Sequence, residues 1–230
     1  MSFLLRYLLG AGLVLFTFMA NAQQPAELPV DSFEKAITAP AVQILDVRTV
    51  GEFKAGHLRN SLWADWNDRE QFEERAASLD KSRPVYTYCL SGGRSAAAAA
   101  WLRERGYTVY KMAGGIAEWK KAGKILEGRK DAPQLSMTAY LAMIPPGKTV
   151  LVDFGAPWCP PCVRMKPVVD SLLREEGSSV VFVPVDGGEQ AALGKELGVE
   201  SLPTFIIYKD GRESWRKQGI VTAVELKEHL

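Results

Sequence analysis

The stretch Trp158-Cys159-Pro160-Pro161-Cys162, directly after the apolar run Thr149-Val150-Leu151-Val152-Asp153-Phe154, constrains this chain more than any other. The run reads as a buried strand and the cysteine box as the opening of a helix. Two cysteines three apart in a first helical turn have α-carbons roughly 5 Å apart, inside the span of a disulfide. Proline is tolerated there because early helical N–H groups have no intrahelical partner. Those free N–H groups and the positive end of the helix dipole favour thiolate over thiol, lowering the pKa from about 8.5. The local design is that of thiol–disulfide exchange. Half a zinc site or a static bridge would use the same spacing. Zinc takes four ligands, however, and the only other candidates are Cys89, His57 and His229, none at metal-ligand spacing. Neither a metal nor a cofactor is expected.

The chain of 230 residues is long enough for two small domains, each with its own core. Its 28 basic and 27 acidic side chains nearly cancel, and Arg6 is the only charge before Glu27. That balance gives no electrostatic reason to expect nucleic acid or an anionic membrane as a partner. Residues 1–22 carry the marks of a secretory signal: Arg6, an uncharged stretch from Tyr7 to Ala20, and the small-x-small triplet Ala20-Asn21-Ala22. No cysteine near that point suggests a lipid anchor. The expected destination is an oxidising space, the periplasm if the cell is bacterial.

Three cysteines leave Cys89 unpaired once Cys159 and Cys162 are matched. It follows the strand-like Pro84-Val85-Tyr86-Thr87-Tyr88 and opens Cys89-Leu90-Ser91-Gly92-Gly93-Arg94-Ser95 ahead of the alanine-rich Ala96 to Arg105. A strand, a tight loop containing Gly92 and Gly93, and a helix N-terminus gather backbone N–H groups around one point. A thiol there has a lowered pKa, and Arg94 adds a fixed charge of bidentate geometry. Short helices are expected at Asp31–Ile37 and Gln71–Leu79, a strand at Val42–Val47, and a turn-rich stretch from Glu52 to Ser61.

With Leu45-Asp46-Val47-Arg48, Glu52-Phe53, Gly56-His57-Leu58, Asn60, the Tyr88–Ser95 loop and Met112-Ala113-Gly114-Gly115-Ile116-x-x-Trp119, this half resembles the rhodanese family. The resemblance implies a parallel-sheet α/β fold with Cys89 as acceptor of sulfane sulfur from a donor such as thiosulfate. Gly92, Gly93, Arg94 and Ser95 would hold the substrate. Asp46 and Arg48 look like the family's structural ion pair, and His57 like a packing residue. Arg94 stands five residues after Cys89, the tighter sulfurtransferase spacing; related phosphatases space the pair by six.

The second half is read as a helix at Ser136–Ile144, the strand and cysteine-box helix running through Pro167, a strand at Val180–Asp186, and a helix at Gln190–Leu197. Strands at Thr204–Tyr208 and Glu213–Lys217 flank an Asp210-Gly211 turn, and Thr222–Leu230 closes as a helix. With Val152-Asp153-Phe154, the cysteine box, Pro167 and Leu202-Pro203-Thr204, it resembles thioredoxin. That implies an exposed attacking Cys159, a resolving Cys162, a cis Pro203 beside them, Trp158 on the substrate surface, and Asp153 moving the proton off Cys162. Phe182 stands where a lysine often pairs with that aspartate, which leaves Asp153 drier.

The fold class is therefore α/β in two domains: a rhodanese-like parallel-sheet domain at 28–125, a linker at 126–135, and a thioredoxin-like domain at 136–230. The leading expectation is an enzyme in which oxidised or persulfidated Cys89 is reduced by the Cys159/Cys162 dithiol, itself recharged by a membrane electron donor. The alternatives are a general periplasmic disulfide reductase or isomerase acting on protein thiols and disulfides, with the first domain recruiting partners, and a non-enzymatic redox-sensing module.

Overall fold

The computed structural model describes residues 27–128 and 133–230; the expected signal segment lies outside the described residues. The first domain is built on five parallel strands: β1 (Glu27–Leu28), β2 (Gln43–Asp46), β3 (Ser61–Trp63), β4 (Val85–Tyr88) and β5 (Val109–Met112), in the order β1-β5-β4-β2-β3. Side chains alternate across it as the pleat requires. Leu45, Val47, Val85 and Cys89 face one core with Phe72 and Leu102, whereas Ile44, Tyr86 and Tyr88 face a second with Phe33, Ile116 and Trp119. The connecting helices are α1 (Val30–Ile37), α2 (Val50–Ala55), α3 (Arg69–Ala76), α4 (Gly93–Glu104) and α5 (Gly115–Lys121).

The Glu52–Ser61 stretch is not all turn. Thr49 caps α2 in a reciprocal box with Glu52, satisfying donors at both ends of the motif and making a six-residue helix viable. The stretch ends in β3, an outer strand of three residues too short to declare itself by alternation. The first part of the expected linker also belongs to this domain. His57 and Glu127 exchange backbone hydrogen bonds of 2.7 and 2.8 Å, and Leu126 lies against Gly56.

The second domain has four strands, β6 (Thr149–Gly155), β7 (Val180–Asp186), β8 (Thr204–Lys209) and β9 (Arg212–Gln218), in the order β7-β6-β8-β9. Only β6 and β7 run parallel. Helices α6 (Met137–Ala142) and α8 (Ala191–Glu196) cover one face; α7 (Pro160–Glu176) and α9 (Ala223–His229) cover the other. Along β6, Val150, Val152 and Phe154 face the α6 side, so period-two alternation puts Leu151 and Asp153 under α7, where the cysteine box begins. Among the described residues no helix is long and apolar enough to cross a membrane.

Candidate functional site

Cys89 follows β4 at the carboxyl end of the parallel sheet. Gly92, at φ 107°, turns the chain into α4 in a conformation that L side chains rarely adopt, and this brings its N–H 3.1 Å from Cys89 Sγ. The Ser95 hydroxyl lies 3.5 Å from the sulfur and 3.1 Å from the Gly92 carbonyl, so its one proton serves either acceptor. Burial disfavours the Cys89 thiolate, but hydrogen bonds from the Ser95 hydroxyl and the amides of Ser95, Gly92 and Ser91 outweigh it. The pKa ends below the ordinary thiol value. The back of the loop is closed by α5, whose Ile116 and Ala117 amides donate to the Cys89 and Leu90 carbonyls at 2.8 and 3.0 Å.

Arg94 does not point a free fork into this cradle. Its guanidinium makes a bidentate pair with Glu52, at 2.7 and 2.8 Å, tying the loop to α2. The Arg94 hydrogen bonds, aided by Thr49 and opposed by partial burial, hold the Glu52 carboxyl down at about 2. Glu52 is the residue sequence reasoning undervalued; its signal was the Thr49-x-x-Glu52 spacing. Asp46 and Arg48 form the expected buried pair, Arg48 also donating to the Gly56 carbonyl at 2.7 Å. His57 stacks on Phe53 at 3.9 Å and bonds the Phe53 carbonyl through Nδ1, a packing arrangement.

In the second domain Cys159 is the N-cap of α7, with Pro160 and Pro161 entering the helix. Cys159 and Cys162 form a disulfide with α-carbons 5.3 Å apart, and the Cys162 N–H donates to Cys159 Sγ at 3.3 Å. The Leu202–Pro203 bond is cis, and the Leu202 carbonyl sits 3.5 Å from Cys159 Sγ. Asp153 lies beneath, lining a cavity of about 310 Å³ with Gly155, Cys162, Lys166 and Phe182. Its buried Oδ1 has no hydrogen-bond partner among the described residues.

A family model for thioredoxin matches residues 133–230, and one for a rhodanese-like domain matches residues 29–122. The chain is 43% identical over 75 residues to thioredoxin 1 of Synechococcus elongatus, covering 33% of this chain and 67% of that protein. The chain is a rhodanese-like domain followed by a thioredoxin domain. Thioredoxin H4 of Arabidopsis thaliana is 42% identical over 64 residues, 28% of this chain and 54% of that protein. The chain spans about half the length of that relative and of Arabidopsis thioredoxin X, of which it covers 46%. The structure of a rhodanese-related protein from Thermoplasma volcanium aligns at 25% identity with a TM-score of 0.41, over 45% of this chain and 98% of that one. The two domains together support a role in thiol redox and sulfur transfer.

Neither nucleophile lies open, contrary to the expectation of an exposed Cys159. Cys159 is 0% exposed and Cys89 1%. Around Cys159 the Leu202 carbonyl and Cys162 pack from its own domain, and the rhodanese-like domain covers the neighbouring part of the cysteine box: α3 packs on α7, and the Trp63 N–H donates to the Trp158 carbonyl at 2.8 Å. Trp63, Asp46 and Tyr88 are register partners at the ends of β3, β2 and β4. The cysteine box therefore meets β3 at the carboxyl end of the sheet, the end that also carries Cys89, with Trp63 about 10 Å, or two strand spacings, from Tyr88. Among the described residues nothing groups three or more His, Cys, Asp or Glu side chains to hold a metal.

Asp153 carries a testable consequence. Burial raises its pKa from 3.8 to about 6, with the Lys166 ammonium pulling modestly the other way; Asp170 and Asp186 also line its cavity. The folded state thus binds more protons than the unfolded state between those values. Stability is fully present below about pH 4 and falls as pH rises through 6, by about 3 kcal/mol for a shift of this size. Asp153→Asn should stabilise the oxidised protein at pH 8 by up to that amount and have little effect at pH 4. Urea unfolding at both pH values checks this, and an equal effect at both would contradict it.

Proposed function

We propose that the chain is an exported thiol–sulfur enzyme in which Cys89 takes up sulfane sulfur and the Cys159/Cys162 dithiol reduces it to sulfide. The observation that carries this is one chain holding an amide-cradled thiol of lowered pKa at the carboxyl end of one sheet and a cysteine pair whose box is docked on the end of an outer strand of that same sheet.

The Cys89 thiolate attacks the outer sulfur of thiosulfate; the S–S bond of the donor breaks, sulfite leaves with its electron pair, and a Cys89 persulfide remains. Backbone amides from Gly92 and its neighbours hold the negative charge as it forms, while Arg94, neutralised by Glu52, fixes the loop. The Cys159 thiolate then attacks the inner sulfur. Hydrosulfide leaves and a Cys89–Cys159 mixed disulfide forms. Cys162, its proton passed to Asp153, breaks that bond, restores the Cys89 thiolate and closes Cys159–Cys162. Two electrons have moved from the dithiol to the sulfane sulfur. A membrane-borne dithiol reductant supplies them again.

Cys89 and Cys159 are both buried in the docked arrangement, so this cycle requires the thioredoxin domain to move from its seat. Trapping tests it directly. In Cys162→Ser protein the mixed disulfide has no resolving thiol, and mass spectrometry of the peptide containing Cys159 should find it joined to the Cys89 peptide after thiosulfate treatment. Finding Cys159 joined only to other proteins would instead favour a general disulfide reductase. Export rests on Arg6 and the Tyr7–Ala22 pattern; fractionation of a bacterial host should place mature protein, cut after Ala22, outside the cytoplasm.

A further inference from the structure

The contact between the two domains has the form of a socket. Trp63 is the last residue of outer strand β3, whose inner neighbour Ala64 donates its N–H to Asp46 on β2. The Trp63 N–H therefore faces the free edge, and the Trp158 carbonyl occupies it. The Trp158 indole meets Trp63 edge-on at 5.6 Å and Phe53 at 6.0 Å. The Arg75 guanidinium lies 5.4 Å from the Trp158 ring and 4.4 Å from the Trp63 ring, and donates to the Trp63 carbonyl at 3.2 Å. Such stacking is strongest where water is excluded, and burial lowers the Arg75 pKa to about 10. From its own domain Trp158 is backed by Gly188, where a Cβ would come within 2.6 Å of the ring.

This seat covers the chemistry of the second domain. Cys159, Pro160 and Pro161 are all buried. Yet the seam is no continuous core: cavities of about 640 and 790 Å³ are each lined by both domains, the larger by Trp158 itself and the smaller by Pro157 and Val163. A few directional contacts between open crevices make a joint that closes firmly in one place and separates as a unit, as interdomain contacts commonly do.

We propose that Phe53, Trp63 and Arg75 form a docking socket for the Trp158 side of the cysteine box, whose occupant is this chain's own thioredoxin domain. While docked, the socket shields Cys159 from protein thiols and disulfides; undocking exposes it. The inference rests on the redox reading only for its consequence. A partner that opens the joint must compete for an exposed strand-edge N–H flanked by two aromatic rings and a cation, which an extended segment bearing an aromatic side chain would do.

The test uses the full-length, reduced protein and the variant Arg75→Glu, which replaces the cation on the two indole rings by a carboxylate. Iodoacetamide alkylation of Cys159, read by mass spectrometry, should run at least about tenfold faster in Arg75→Glu than in the wild type, because the docked fraction protects it. Insulin disulfide reduction should rise alongside. Amide hydrogen exchange gives an independent reading on the wild type: the Trp63 amide should be protected, and become unprotected in Arg75→Glu while the Val85–Tyr88 amides stay protected as evidence of an intact fold. Equal alkylation rates in the two proteins, or free exchange of the Trp63 amide in the wild type, would overturn the socket. Faster alkylation without any gain in insulin reduction would leave the socket standing and count against the redox reading. Should Arg75→Glu fail to fold, the wild-type exchange measurement alone decides.

Discussion

Cys159→Ser protein, given thiosulfate and a dithiol regenerating system, should lose sulfide release by at least about a thousandfold, the scale on which removing a covalent nucleophile acts. Its first turnover should survive. Cys89, cradled by Gly92 and Ser95 in the other domain, still accepts one sulfur and releases one sulfite, so a burst of sulfite equal to the enzyme concentration is expected without sulfide. Cys89→Ser should abolish both signals. The two variants thus separate loading from reduction, which a wild-type rate cannot do. Full sulfide release by Cys159→Ser would mean that the external dithiol strips Cys89 directly and that the thioredoxin domain serves other substrates.

What the sequence made readable was local. The cysteine box follows a strand and opens a helix, and Cys89 follows a strand and opens another, so each reading needed only neighbouring residues and each corresponds to an element in place. The α6 side and the α7 side of β6 follow from alternation alone, which put Asp153 beneath the box. What depended on distant pairing was hidden. Arg94 looks like a free anion-binding fork until Glu52, 42 residues earlier, fills it. Helix α2 was legible in Thr49-x-x-Glu52, but the turn-forming Gly56 and Asn60 that follow drew the reading toward a loop. No local pattern marks Trp63, Phe53 or Arg75 as a seat for Trp158, because that seat exists only once two separately folded domains meet. The burial of Cys159 was therefore beyond reach of any reading made one segment at a time.

Gly115 is where a single methyl group should do the most structural damage. Its φ is +62°, a left-handed conformation costing other residues about 1–2 kcal/mol. A Cβ there would also stand 2.5 Å from the Cys89 carbonyl oxygen and 2.7 Å from that of Leu90, both backbone atoms of the loop that holds the sulfur. Backbone cannot swing aside as a long side chain can. Those same carbonyls accept the Ile116 and Ala117 amides, so relief of the clash breaks the hydrogen bonds that seat α5. Strain and lost bonds together should cost Gly115→Ala about 3–5 kcal/mol, lowering the melting temperature of the rhodanese-like domain by well over 10 °C. Sulfur loading should fall with it, because the Cys89 loop must shift to survive. Gly51→Ala supplies the contrast. Gly51 is exposed within α2, has nothing within 4 Å of an added Cβ, and should gain about 0.5–1 kcal/mol from helix propensity. Calorimetry of the two variants separates the readings: equal, small effects would mean that α5 does not brace the Cys89 loop, whereas opposite signs follow from the packing described.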